Sequence, residues 1–152
     1  MDAANQSFTL ANSAYAFNIY GNLIDSQNRL AGFTGTGYLY FKSTTTGKTI
    51  TSNGNIRGWN RVYFDGVGGS WTNTDNWNVA GSEIYLMNGH YNANGYSLTM
   101  TQSFRFESGT KTFSFENSIL NLFAGFLANS PSNLTINSAG STINCGGDRF
   151  GG

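Results

Sequence analysis

Six short apolar or aromatic segments recur along this chain at nearly constant spacing, and no other feature limits the fold as strongly. Phe17-Asn18-Ile19-Tyr20, Tyr38-Leu39-Tyr40-Phe41, Arg61-Val62-Tyr63-Phe64, Ile84-Tyr85-Leu86-Met87 and Phe104-Arg105-Phe106-Glu107 begin 21, 23, 23 and 20 residues apart, and Leu134-Thr135-Ile136-Asn137 follows after 30. A fixed period of this size marks repeat architectures, in which one unit cannot bury its apolar face alone and stacks on the next. Residues outside the segments obey the same frame. Its sixth position is Gly66, Gly89 and Gly109 in three consecutive copies, preceded by Asn22 and Ser43. A second, shorter strand then follows a glycine, as in Gly47-Lys48-Thr49-Ile50, Gly69-Ser70-Trp71-Thr72 and Gly95-Tyr96-Ser97-Leu98. Each unit therefore reads as strand, glycine turn, strand, polar loop, with glycine supplying corners that need a positive φ.

Two architectures use such units. In an antiparallel sandwich, equivalent positions of successive units have no reason to match. In a solenoid each unit is one coil, equivalent positions stack about 4.8 Å apart, and their chemistry should match. Here the columns do match. Ile19, Tyr40, Tyr63, Leu86, Phe106 and Ile136 form one apolar column, and Phe17, Tyr38, Arg61, Ile84, Phe104 and Leu134 form another with a single exception. One column further, Lys42 aligns with Asp65 and Asn88, which allows an exposed ion pair between neighbouring coils. The expectation is an all-β, single-domain parallel β-solenoid over residues 1–152, of about six coils with 20–23 residues each; the alternative is an antiparallel β-sandwich.

Composition fits that reading. Asn, Gly, Ser and Thr supply 72 of 152 residues, which alone would suggest a solvated coil, but 15% aromatic residues carry too much apolar surface for that. Only 11% of residues are charged, against about 25% in ordinary domains, and eight Lys and Arg balance eight Asp and Glu. A neutral sum gives no basis for binding nucleic acid. No run approaches the roughly 20 apolar residues of a membrane helix, so membrane insertion is not expected. The first residues, Met1 to Asn5, show no signal-peptide pattern, so any export signal is expected outside the sequence.

Around Val62-Tyr63-Phe64-Asp65-Gly66-Val67-Gly68-Gly69-Ser70-Trp71-Thr72, and again at Ile84-Tyr85-Leu86-Met87-Asn88-Gly89 and Asn92-Ala93-Asn94-Gly95-Tyr96-Ser97-Leu98-Thr99, the sequence resembles a known type of repeat. It is similar to the Gly/Asn/Thr-rich β-solenoid repeats of large bacterial surface adhesins, surface filaments and phage tail fibres, best over residues 38 to 145. The resemblance implies a structural and adhesive element that is extracellular, on a cell surface or on a virion. It transfers no functional residue.

Candidate chemistry is sparse. Glycoside hydrolysis needs two carboxyl groups about 5 to 9.5 Å apart, and the frame puts Asp65, Glu83, Glu107 and Asp148 in different columns. His90 is the single histidine and reads as a turn residue without catalytic partners. Cys145 is the single cysteine, which excludes an intramolecular disulfide and is too little for a cysteine zinc site. The glycine run Gly66 to Gly69 lacks the Lys-Ser/Thr ending of a phosphate loop. No enzyme activity, cofactor or metal is expected. The aromatic cluster of Trp59, Trp71, Trp77, Tyr91 and Tyr96 has binding potential. Trp77 shares a strand face with Val79 and reads as core, leaving Trp59, Trp71, Tyr91 and Tyr96 either as packing or as a site for a glycan or cell-surface receptor.

The sequence expectation is thus a noncatalytic structural or adhesive module of an extracellular fibre, filament or surface adhesin. It would form a homo-oligomer or filament through open β ends, either as an assembling subunit or as a segment of a longer protein. A carbohydrate-binding domain and a tailspike-type polysaccharide-depolymerising enzyme are the alternatives.

Overall fold

In a segment such as Tyr38–Phe41, successive side chains point to opposite sides of the backbone, so one pair of residues can enter a core while the other faces out. A computed structural model, which describes residues 16–25, 37–55, 58–147 and 149–151, shows this alternation repeated coil after coil. The chain is a parallel β-solenoid of about five turns, with no helix among the described residues.

From Tyr38 onward each described coil runs over three faces. The first carries β1 (Ala16–Ile19), β3 (Tyr38–Phe41), the leading parts of β6 (Arg61–Asn73) and β8 (Glu83–Asn92), β10 (Phe104–Phe106), β13 (Gly125–Ala128) and β16 (Arg149–Gly151). The second carries β2 (Leu23–Ile24), β4 (Lys48–Thr51), the trailing parts of β6 and β8, β11 (Lys111–Ser114) and β14 (Leu134–Asn137). On the third lie β5 (Gly54–Asn55), β7 (Trp77–Asn78), β9 (Leu98–Met100), β12 (Ile119–Leu122) and β15 (Thr142–Cys145). Every ladder between them is parallel, which excludes the antiparallel sandwich. The last of the six predicted coil starts is misplaced. Leu134–Asn137 does not open a coil of its own; it pairs with Lys111–Ser114 on the second face of the coil that begins at Gly125.

Register corrects the predicted columns. Tyr38 pairs with Ala16 and Arg61, and Arg61 with Glu83, whereas Ile84 pairs with Val62 and Phe104. The inward columns of the first face are therefore Phe17, Leu39, Val62, Ile84, Phe104, Phe126 and Ile19, Phe41, Phe64, Leu86, Phe106, Ala128. A slip of one residue exchanges inside for outside. Ile19, Leu86 and Phe106 are buried, but Tyr40 and Tyr63 stand in an outward, half-buried column, and Ile136 belongs to the second face, where it is 42% exposed.

Aromatic rings stacked at the coil spacing fill the interior. Between neighbouring coils Phe41 stacks on Phe64 at 4.7 Å and Phe64 on Tyr91 at 4.4 Å, and within one coil Phe104 stacks on Phe113 at 4.5 Å. Such offset stacks add to the area term of burial. The Tyr91 hydroxyl, fully buried, accepts a hydrogen bond from Nδ2 of Asn73 at 3.0 Å.

The corner between the first two faces explains the glycines. A Cβ on Gly66 or Gly69 would overlap the carbonyl oxygen of Ser43 in the preceding coil. Gly66 is thus required by close approach and lies within β6 rather than in a positive-φ turn. Gly89 and Gly109 have φ of 88° and 108° and meet backbone or side-chain atoms of the coil before, so both reasons apply.

Candidate binding surface

The residues expected to form a stacking site lie inside. Trp59, Trp71 and Tyr91 are buried, and Trp71 and Tyr91 are paired rungs of the second face, so none presents a surface to a ligand. Tyr96 is half-buried at the corner after β8, its N–H bonded to the Ala93 carbonyl at 3.0 Å. Trp77 and Val79 are buried together in the core.

The outward aromatic surface lies instead on the first face. Its central column reads Asn18, Tyr40, Tyr63, Tyr85, Arg105, Leu127. Tyr40 stacks on Tyr63 with ring centroids 4.5 Å apart and planes 7° from parallel, and Tyr63 on Tyr85 at 4.9 Å. Cations close on this ladder, with Lys42 5.2 Å from the Tyr40 ring centre and Arg61 and Arg105 5.2 and 5.8 Å from that of Tyr85.

Two polar columns flank the rings. On one side Nζ of Lys42 donates to Asp65 at 3.0 Å, and Nδ2 of Asn88 donates to the other oxygen of Asp65 at 2.9 Å, joining three coils as the alignment allows. Further along, Asn129 donates to Glu107 at 2.7 Å. On the other side Glu83 accepts from Nε of Arg105 at 2.8 Å and from the Tyr85 hydroxyl at 2.7 Å, with Arg61 at 3.5 Å. Burial alone would raise the Glu83 carboxyl, but the bonds from Tyr85 and Arg105 outweigh it and hold the group below its ordinary range. The Tyr85 phenol is pushed up to about 12 by burial and by its bond to Glu83. The hydrogen bond to Asp65 raises the Lys42 ammonium against its own desolvation. Beside the ladder, Ala16, Asn18, Tyr20, Tyr40, Lys42, Tyr63, Asp65 and Met87 line an open groove.

The remaining candidate groups are tied up elsewhere. Asp75 accepts from the Ser52 N–H and hydroxyl, both at 2.9 Å, and from the Asn53 N–H at 2.6 Å, fixing a corner. Asp148 lies outside the described residues. His90 stands in β8 on the second face, not in a turn; Nε2 lies 2.9 Å from Oγ of Ser114, which also receives Nδ2 of Asn137. Burial lowers its pKa, while Glu116 opposes the shift. Cys145 ends β15 as a free, half-buried thiol. Buried Lys111 donates to the carbonyls of Gly109 and Ser132. No cluster of three or more His, Cys, Asp or Glu suited to a metal occurs among the described residues.

Fold and surface together define a parallel β-solenoid with an aromatic and ionic ladder along one side. Comparison with protein-family models, curated proteins and solved structures yields no match to the chain.

Proposed function

We propose that the chain is a noncatalytic structural or adhesive module of an extracellular fibre, filament or surface adhesin, on a cell or a virion, which assembles with neighbouring subunits through its open β ends. The observation that carries this reading is the state of the last full coil. Ile136 continues the inward column of Trp71, Tyr91 and Phe113, yet it is 42% exposed. Leu134, Ile143 and Cys145 pack against the core from one side only and are half-buried. Among the described residues β14 pairs only with β11, and β15 only with β12. An edge of this kind offers unpaired N–H and C=O groups above an apolar floor, which strand addition by a neighbouring subunit, or a further coil where the chain is a segment of a longer protein, would cover.

The noncatalytic part is supported by the carboxylates. Asp65, Asp75, Glu83 and Glu107 are each held by hydrogen bonds or ion pairs to neighbouring coils, as expected of groups that join coils rather than attack a substrate. The resemblance to surface repeats supports the location.

Sedimentation and electron microscopy across a range of protein concentrations test the reading. Concentration-dependent rods are expected, with Ile136→Asp keeping the fold and losing assembly. A monomer of unchanged size at every concentration would contradict it.

A further inference from the structure

We infer that the side of the rod, as distinct from its ends, is a binding track for an uncharged, hydroxyl-rich chain, that is, a neutral glycan, centred on the groove among Tyr20, Tyr40, Lys42, Tyr63 and Asp65. This goes beyond the assembly reading and does not depend on it, because assembly uses the terminal coil and the track uses the first face.

Charge selects the class of ligand. The described outward residues of this face include three cations, Lys42, Arg61 and Arg105, and three carboxylates, Asp65, Glu83 and Glu107. Lys42 is paired with Asp65, and both arginines with Glu83. In the groove, whose charged lining residues are Lys42 and Asp65, a polyanion or a polycation would have to break their pair to gain a counter-charge. A neutral polyol leaves the pair intact. It meets side chains with bonding capacity to spare, since the Lys42 ammonium has three N–H groups of which Asp65 takes one, and each Asp65 oxygen accepts more than one bond.

Ring orientation then divides the work. Tyr40 and Tyr63 cover each other's faces, so they present edges and hydroxyls in a row at the coil spacing. Tyr20, at the head of the groove, is 66% exposed and keeps an open ring surface for the C–H face of a sugar. The row is rigid before any ligand arrives, because each rung is fixed in a parallel ladder and cations sit against its ends. A preordered site spares the ligand the entropy of arranging it. A polymer running along the rod would meet a tyrosine edge again at each of the coils of Tyr40, Tyr63 and Tyr85, about 4.8 Å apart.

The test is calorimetric titration of the whole chain with cellohexaose, xylohexaose, mannohexaose and chitohexaose separately, and with polygalacturonate as the anionic probe. Binding of at least one neutral hexasaccharide is expected. Tyr20→Ala and Lys42→Met should each weaken it about tenfold or more, the scale of one lost contact or hydrogen bond. Tryptophan emission should not change, because Trp59, Trp71 and Trp77 are buried. Tyr20 is exposed, so its variant keeps the fold, which a thermal melt checks. The inference is overturned if no neutral hexasaccharide binds at millimolar concentration, if polygalacturonate binds more tightly than all four, or if Tyr20→Ala leaves binding unchanged. It is also overturned if Tyr20→Ala alters self-association and sugar does not, since the face would then be an interface between copies of the chain.

Discussion

Tyr91 is where packing and hydrogen bonding in the core depend on one side chain. Its ring stacks on Phe64 and Phe113, and its hydroxyl receives the buried amide of Asn73. Tyr91→Phe keeps the stack but strands the amide, so it should cost about 1–3 kcal/mol in urea unfolding, the penalty for an unsatisfied buried polar group. A cost near zero would show that Asn73 finds another partner. Gly66 makes the complementary case, because its role is space. Gly66→Ala drives a methyl into the Ser43 carbonyl and should cost about 3 kcal/mol, the upper part of the ordinary range for single substitutions. Gly21, with nothing within 4 Å of an added Cβ and no positive φ, should accept alanine at little cost in the same assay.

At the scale of the strand, the tyrosine ladder of the first face contributes to the response to pH. In the folded chain Tyr85 titrates at about 12, against about 10 when unfolded, so its neutral form is favoured by folding. That contribution is complete below pH 10 and is lost as pH rises from 10 towards 12. Tyr85→Phe should therefore flatten the fall in Tm over that interval. Glu83 has the opposite sign. Its pKa is lowered on folding, so its contribution is present above the unfolded value, about 4.3, and is lost as pH falls through the folded one. Glu83→Gln should flatten the acid limb of the melting profile and leave the alkaline limb largely as it was. Equal slopes in variant and parent would remove the ladder from the pH response.

The same strands show what the letters reveal and what they hide. Strand, glycine corner and parallel stacking are legible from the spacing, and the Lys42, Asp65, Asn88 row is legible because polar residues stand at one frame position. Register is not. In Tyr38-Leu39-Tyr40-Phe41 every residue is apolar or aromatic, so nothing marks which pair faces water, and aligning by ring type puts Tyr40 and Tyr63 inside, when Leu39 and Phe41 are the buried ones. Tryptophans drew the candidate site for the same reason, since a large flat ring suits a sugar platform and a solenoid core equally well. Gly125–Ala128 escapes notice because Phe126 is its one aromatic, and missing it shifts the last predicted coil start to Leu134. The groove beside Tyr20 exists only once four coils are set in register.

Five complete coils at about 4.8 Å each make a stack roughly 24 Å long, whose interior columns keep their chemistry to the last coil. At this scale the proposed binding track and the proposed assembly edge are separate surfaces, the side with its ion pairs and stacked rings and the terminal edge with Ile136 exposed. Ile136→Asp should therefore change assembly in sedimentation without touching glycan binding, and Tyr20→Ala should do the reverse. A variant that moved both together would argue against two independent surfaces.

Register is the claim on which ladder, groove and edge all depend, and disulfide trapping reads it most directly. In a Cys145→Ser background, cysteines replacing Tyr63 and Tyr85 stand on directly paired residues of adjacent parallel strands, about 4.8 Å apart and within reach of a disulfide. Cysteines replacing Tyr63 and Leu86 would point to opposite sides of the sheet. Mild oxidation should cross-link the first pair within the monomer and leave the second pair reduced; cross-linking of the second pair and not the first would contradict the account.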